Sequence, residues 1–317
     1  MKLEIARTRP AIVRANGIEL HYDTFGDEGA PPMVLIMGLA SQMIAWDEEF
    51  CGALAARRFR VIRFDNRDVG LSSRLDHLGV PNVGLLMLGR LAGQVMPAAY
   101  TLSDMARDSV GVLDALGIER AHIVGASMGG MIAQRVAIEH PERTLSLVSI
   151  MSNSGDFWHG QPALTMYAVL LRPAPKEREK YIEHGVNMFS KLGGSGWEPD
   201  IEDLRDIATR AYDRGHNPRG SSRQLGAIVA DPDRAPQLRK LKVPATVIHG
   251  AEDRLVRPSG GRATAKAIPG ATLVEINGMG HGLPRGAWPQ IIGAITQTAE
   301  RATPATGSAP PQAAAAG

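Results

Sequence analysis

The segment Ala121-His-Ile-Val-Gly-Ala-Ser-Met-Gly-Gly130 constrains this chain more than any other. A β-branched, apolar run leads into a turn of small residues, and a helix-forming run follows. Ser127 lies at the apex, with Gly125 two residues before it and Gly129 two residues after. This is the G-x-S-x-G nucleophile elbow. A turn this tight forces the serine backbone into a strained conformation and leaves no room for side chains two positions away, so both flanks must be glycine. The same turn presents the hydroxyl at a helix N-terminus, where a free N–H and the positive end of the dipole favour developing negative charge.

Composition limits what can surround such a serine. Of 317 residues 44% are hydrophobic and 21% charged, the balance of an ordinary globular protein with a sizeable core. With 35 basic and 33 acidic residues the net charge is +2, which gives no reason to expect a nucleic-acid partner. A single cysteine, Cys51, excludes an internal disulfide, and no His/Cys cluster has zinc spacing. The first ten residues lack the apolar run of a signal peptide, and no uninterrupted apolar stretch of about 18 residues is present. A cytoplasmic location is expected, with peripheral contact to a membrane or lipid left open.

Apolar runs alternate with helical patterns, which predicts a mostly parallel α/β sheet. Residues 11–24 read as an antiparallel hairpin turning at Asn16-Gly17. Strands are predicted at 33–38, 61–65, from 121 into the small-residue turn at Ser127, and at 145–151, 243–249 and 272–276. A helix is predicted over 101–116, opened by the capping box Thr101-Leu-Ser-Asp104 and closed by Gly117. From 153 to 236 the rhythm breaks into helical patterns at 162–172, 176–191, 200–213 and 219–229, with no convincing strand. The expected organisation is a first core part over 1–152, a helical cap over 153–236 and a second core part over 237–302. A closing helix lies at about 286–301. The Ala/Pro/Gly/Ser-rich tail over 303–317 is expected to be disordered.

A serine hydroxyl needs a base, and the base needs an orienting acid. The elbow predicts the order serine, acid, histidine along the chain. Asp253 follows the penultimate strand in His249-Gly-Ala-Glu-Asp253, and His281 follows the last strand in Gly278-Met-Gly-His-Gly-Leu-Pro284, a glycine-rich setting read as flexible. Both loops leave the carboxyl ends of parallel strands, where open α/β sheets build their sites.

These motifs resemble those of the α/β-hydrolases, and in particular the aclacinomycin methylesterase-like group and mycobacterial lipase/esterase-type hydrolases. The likeness is carried by Leu35-Ile-Met-Gly-Leu-Ala40, Arg63-Phe-Asp-Asn-Arg-Asp-Val-Gly-Leu-Ser72, Val124-Gly-Ala-Ser-Met-Gly-Gly130, His249-Gly-Ala-Glu-Asp253 and Gly278-Met-Gly-His281. It implies an eight-stranded α/β-hydrolase sheet with a helical cap, Ser127 as nucleophile, Asp253 as acid and His281 as base. It implies an oxyanion hole built from the Met128 N–H and the Leu39 N–H, although Met37 stands where the family often carries histidine. It places the acid four residues after His249, which selects Asp253 over its neighbour Glu252. Asp156 is a less favoured acid. His249 and His122 read as structural, as do Asp65 and Arg67.

The implied activity is hydrolysis of a lipophilic, uncharged carboxylic ester with no metal or organic cofactor; short-to-medium acyl esters, a methyl ester on a larger aromatic scaffold, a thioester and a lipid are all compatible. A cofactor-free perhydrolase, a carbon–carbon bond hydrolase and a non-catalytic binding protein of the same fold are the alternatives. Gly38, Trp46, Leu86, Met87 and Leu283 are candidate pocket residues, Trp46 having core packing as its plainer reading. Cys51 reads as buried filler. The apolar segment 83–96 is either a lid over an acyl pocket that rests on lipid or a helix buried against the cap.

Overall fold

The computed structural model of the protein describes residues 7–94, 96–171 and 175–302. The predicted tail at 303–317 lies outside the described residues. Eight strands form one sheet: β1 (Ala11–Ala15), β2 (Ile18–Phe25), β3 (Pro32–Ile36), β4 (Arg60–Phe64), β5 (Ala121–Ala126), β6 (Thr144–Ile150), β7 (Ala245–Gly250) and β8 (Thr272–Ile276). Their spatial order is β1-β2-β4-β3-β5-β6-β7-β8. The pairs β1/β2 and β2/β4 are antiparallel, and the rest are parallel. The hairpin turns as predicted, with Asn16 at φ 49° and Gly17 at φ 80°.

The helices are α1 (Glu48–Ala55), α2 (Val83–Leu91), α3 (Leu102–Ala115), α4 (Met128–Glu139), α5 (Leu164–Leu171), α6 (Arg178–Leu192), α7 (Ile201–Gly215), α8 (Pro218–Ala230), α9 (Ala235–Leu238), α10 (Pro258–Ala267) and α11 (Trp288–Ala302). The central strands are apolar on both faces because helices cover both. In β3, Val34 and Ile36 join a core with α3 and α4, while Met33 and Leu35 join another with α1 and α11. That alternation is the two-residue period of a strand. The predicted capping box opens α3: the Thr101 hydroxyl accepts from the Asp104 amide, and the Asp104 carboxylate accepts from the Thr101 amide.

Between β6 and β7 the described chain is helical, from α5 to α9. Here α6 packs on α7, and α8 packs on α2. Helix α2 divides its apolar residues. Leu86 and Gly89 are buried, whereas Leu85, Leu88 and Leu91 are exposed. It is therefore neither wholly core nor wholly free.

Candidate active site

Ser127 follows directly on β5 and stands at the N-terminus of α4, with φ 56° and ψ −121°. That conformation is worth roughly 1–3 kcal/mol of strain for a residue with a side chain. Its amide donates to the Ile150 carbonyl at 2.9 Å, which pins the turn to β6. A Cβ on Gly125 would lie 2.0 Å from the Gly129 carbonyl oxygen, and one on Gly129 would lie 2.0 Å from the Ile36 carbonyl oxygen. The steric demand read from the sequence is thus real at both positions.

The predicted partners converge on this serine. His281 Nε2 lies 3.0 Å from Ser127 Oγ, and His281 Nδ1 lies 2.7 Å from Asp253 Oδ2. Residues separated by 154 and 28 positions in the chain thereby form one hydrogen-bonded line. The other Asp253 oxygen accepts the Leu255 and Val256 amides, each at 2.9 Å. Burial pushes the Asp253 carboxyl up, but the His281 charge and hydrogen bonds from His249 and His281 outweigh it and hold the pKa at about 2. Asp253 is therefore an anion at any working pH.

His249 is buried at the end of β7. Its Nε2 donates to the Val256 carbonyl at 2.7 Å and stands 3.5 Å from Asp253 Oδ2. It braces the acid's loop and supports Asp253, with no hydrogen bond to Ser127 or His281 among the described residues. Glu252, the rival acid, accepts the amide and hydroxyl of Ser195 at 2.8 and 2.7 Å. Asp156 pairs with His159. His122 bonds Ser146 within the sheet, and its burial lowers its pKa to about 4. Asp65 accepts the Met43 and Leu71 amides, and Arg67 grips Asp108, both structural duties.

The loop after β3 brings Gly38 against the serine: a Cβ at Gly38 would sit 3.0 Å from Ser127 Cβ. The Leu39 and Met128 amides, the predicted oxyanion donors, donate to no protein group among the described residues. The His281 loop is not the loose glycine segment read from its sequence. Its Gly280 and His281 amides donate to Gly193 and Leu192 at 2.8 and 2.6 Å, and the Gly196 amide donates to Gly278 at 2.9 Å. A Cβ on Gly280 would meet the Leu192 carbonyl oxygen at 2.0 Å. The glycines serve close backbone packing against the end of α6.

A cavity of about 1220 Å³ opens on Ser127 and His281. Gly38, Trp46, Met87 and Leu283 line it as expected. Leu86 does not: it turns away onto α8, within 3.3 Å of the Cβ position of Gly226, because α2 needs an anchor on its buried side. Trp46 is wholly buried, ends the short turn before α1 and stacks on Phe50 at 5.5 Å, so it packs the core and walls the cavity at once. All four tryptophans of the chain border this one space. Among the described residues no helix is long and apolar enough to cross a membrane.

A sheet of this order, with a strained serine after β5, an acid after β7 and a histidine after β8, defines a class before any comparison. The chain belongs to the α/β hydrolase fold family, whose model matches residues 31–284. Among curated proteins it is 29% identical over 314 residues to rhodomycin D methylesterase DauP from a Streptomyces species, covering 92% of this chain and 98% of that one. It is 25% identical over 262 residues to 3-oxoadipate enol-lactonase 2 of Acinetobacter baylyi, covering 82% of this chain and 85% of the relative. Among solved structures the enol-lactonase from Burkholderia xenovorans LB400 superposes with a TM-score of 0.68 at 23% identity, over 91% of this chain and 99% of its own. The family and the methylesterase relatives support hydrolysis of an ester.

Proposed function

We propose that the protein is a serine carboxylic-ester hydrolase that works through an acyl-enzyme, with the helices between β6 and β7 serving as its cap. The observation that carries this is the line Ser127–His281–Asp253, at 3.0 and 2.7 Å, facing a large cavity. His281 Nε2 takes the hydroxyl proton as Ser127 Oγ attacks the ester carbonyl carbon. Asp253 stabilises the imidazolium that results. The Leu39 and Met128 amides hold the oxyanion. His281 passes the proton to the departing alcohol, leaving the acid part bound to Ser127. It then takes a proton from water as the water oxygen attacks the acyl carbon, and returns that proton to Ser127 Oγ as the acyl–Oγ bond breaks and the acid leaves.

The substrate class we favour is a lipophilic, uncharged and bulky ester. Trp158, Trp197 and Trp288, the tryptophans of the lining that keep exposed area, favour a flat aromatic group by stacking and burial, and the rhodomycin D methylesterase relative favours a small alcohol as leaving group. The test is hydrolysis of p-nitrophenyl esters of two to sixteen acyl carbons and of methyl esters of aromatic acids, with Ser127→Ala alongside. Activity that disappears in Ser127→Ala supports the reading. Equal slow rates in both proteins refute it.

A further inference from the structure

Gln224 lies on α8, remote in sequence from every residue of the serine line, and is fully buried. Its Oε1 accepts the Ala40 amide at 2.9 Å, and its Nε2 donates to the Arg67 carbonyl at 2.9 Å. The second bond fixes which end of the amide faces Ala40, since only a nitrogen can donate to a carbonyl. Ala40 is the residue after Leu39. It has φ 58°, and the Ser41 amide returns to the Gly38 carbonyl at 3.3 Å. Gly38 to Ser41 is thus a four-residue turn whose third place, with positive φ, is the one ordinarily given to glycine. Alanine there gains by flipping the 39–40 peptide back to negative φ. The flip would turn the Ala40 N–H away from Gln224 and set the Leu39 carbonyl in its place, unseating the turn that presents the Leu39 N–H.

A second clasp runs the other way. Gln42 Nε2 donates to the Ala211 and Gly215 carbonyls of α7, at 2.6 and 3.2 Å, while its Oε1 accepts from Arg214 at 2.7 Å. Helix α8 itself is fastened beside the site: Arg223 grips both oxygens of Asp68 at 2.6 and 2.8 Å, and Asn217 donates to the Asp68 carbonyl at 3.0 Å.

We infer that Gln224 is a positioning residue for the oxyanion hole: by holding the Ala40 amide it keeps the 38–41 turn in the strained form that aims the Leu39 N–H at the reacting carbonyl. The inference rests on the esterase reading for its catalytic consequence and on geometry alone for its effect on the loop.

The experiment compares wild type with Gln224→Met, which keeps the bulk and loses both bonds, and Gln224→Glu, which keeps an acceptor oxygen. Thermal melting checks folding. Kinetics use the best p-nitrophenyl ester, and binding uses a trifluoromethyl ketone, which forms an oxyanion on Ser127, beside the matching methyl ketone, which forms little. Amide exchange over 38–42 reads the loop without any substrate. Gln224→Met is expected to lower kcat about 10–100-fold, short of the loss of a whole donor, with KM within about threefold of wild type. Trifluoromethyl ketone affinity should fall with kcat, methyl ketone affinity should hold, and loop exchange should rise at least about tenfold. Gln224→Glu should recover much of the kcat, and Gln224→Leu, which likewise loses both bonds, serves as the test variant if Gln224→Met does not fold. Unchanged kcat and exchange, or equal weakening of both ketones, overturns the inference. A wild type that hydrolyses no ester sinks the esterase reading instead, and the exchange result still decides whether Gln224 holds the loop.

Discussion

Replacing Asp253 by asparagine changes one atom and two properties. The Oδ1 that accepts the Leu255 and Val256 amides must stay an oxygen, because an NH2 there would face two donors. The new NH2 therefore falls on the His281 side and donates to Nδ1. His281 must then carry its proton on Nε2, pointed at Ser127 Oγ, and it can no longer take the serine proton. With the wrong tautomer and no anion beside the imidazolium, kcat is expected to fall by about 10⁴, or roughly 5 kcal/mol of transition-state stabilisation. The same substitution has a folding consequence. The Asp253 pKa lies at about 2 against an ordinary 3.8, so the native state favours the anion by about 2 kcal/mol. Because the folded value is depressed, this stabilisation is complete above pH 4 and is lost as pH falls towards 2. Urea unfolding midpoints from pH 6 down to 2 should therefore decline more steeply in wild type than in Asp253→Asn, while p-nitrophenyl ester assays at pH 7.5 measure kcat. An Asp253→Asn enzyme within tenfold of wild type, or one with the same acid slope, refutes the assigned role.

Glu252→Gln should keep kcat within about threefold, since Glu252 holds Ser195 and not His281; a loss of three decades would transfer the acid's role to it. Gly125→Ala should yield unfolded or aggregated protein in expression and melting trials, because its Cβ would meet backbone at 2.0 Å and overpacking against backbone exceeds about 3 kcal/mol. Cys51 is wholly buried and its thiol is pushed up to about 12, so folded protein should resist iodoacetamide at pH 8 and react only in denaturant; fast labelling of native protein would contradict that burial.

The sequence carried the sheet because strands buried on both faces write themselves as short β-branched runs, and the predicted runs match β3 to β8 to within about two residues at each end. The serine, acid and histidine were legible because each occupies the loop after a strand, and the elbow fixes their order. Gln224 was not legible. Its role depends on a contact across 184 residues, and a glutamine inside an amphipathic helix looks like any other polar residue. The glycines of the His281 loop were legible as glycines but misread as freedom, since only the approach of Leu192 and Gly193 shows why a side chain is forbidden. Leu86 and Met87 could not be told apart by hydropathy, because the direction that α2 faces is set by α8.

The backbone ladder between the His281 loop and the end of α6 makes one wall of the cavity and the proton carrier a single rigid piece. A substrate that entered by pushing α6 aside would carry the imidazole away from the serine, and the enzyme would open only by disarming itself. The part of the lining that α2 supplies carries no residue of the serine line. Helix α2 meets the rest of the molecule through Leu86, Gly89 and the Arg90 bonds to the Val229, Asp231 and Gly155 carbonyls, while three of its leucines are exposed. The molecule thus ties one wall of its cavity to His281 and leaves the α2 wall free of any residue of the serine line.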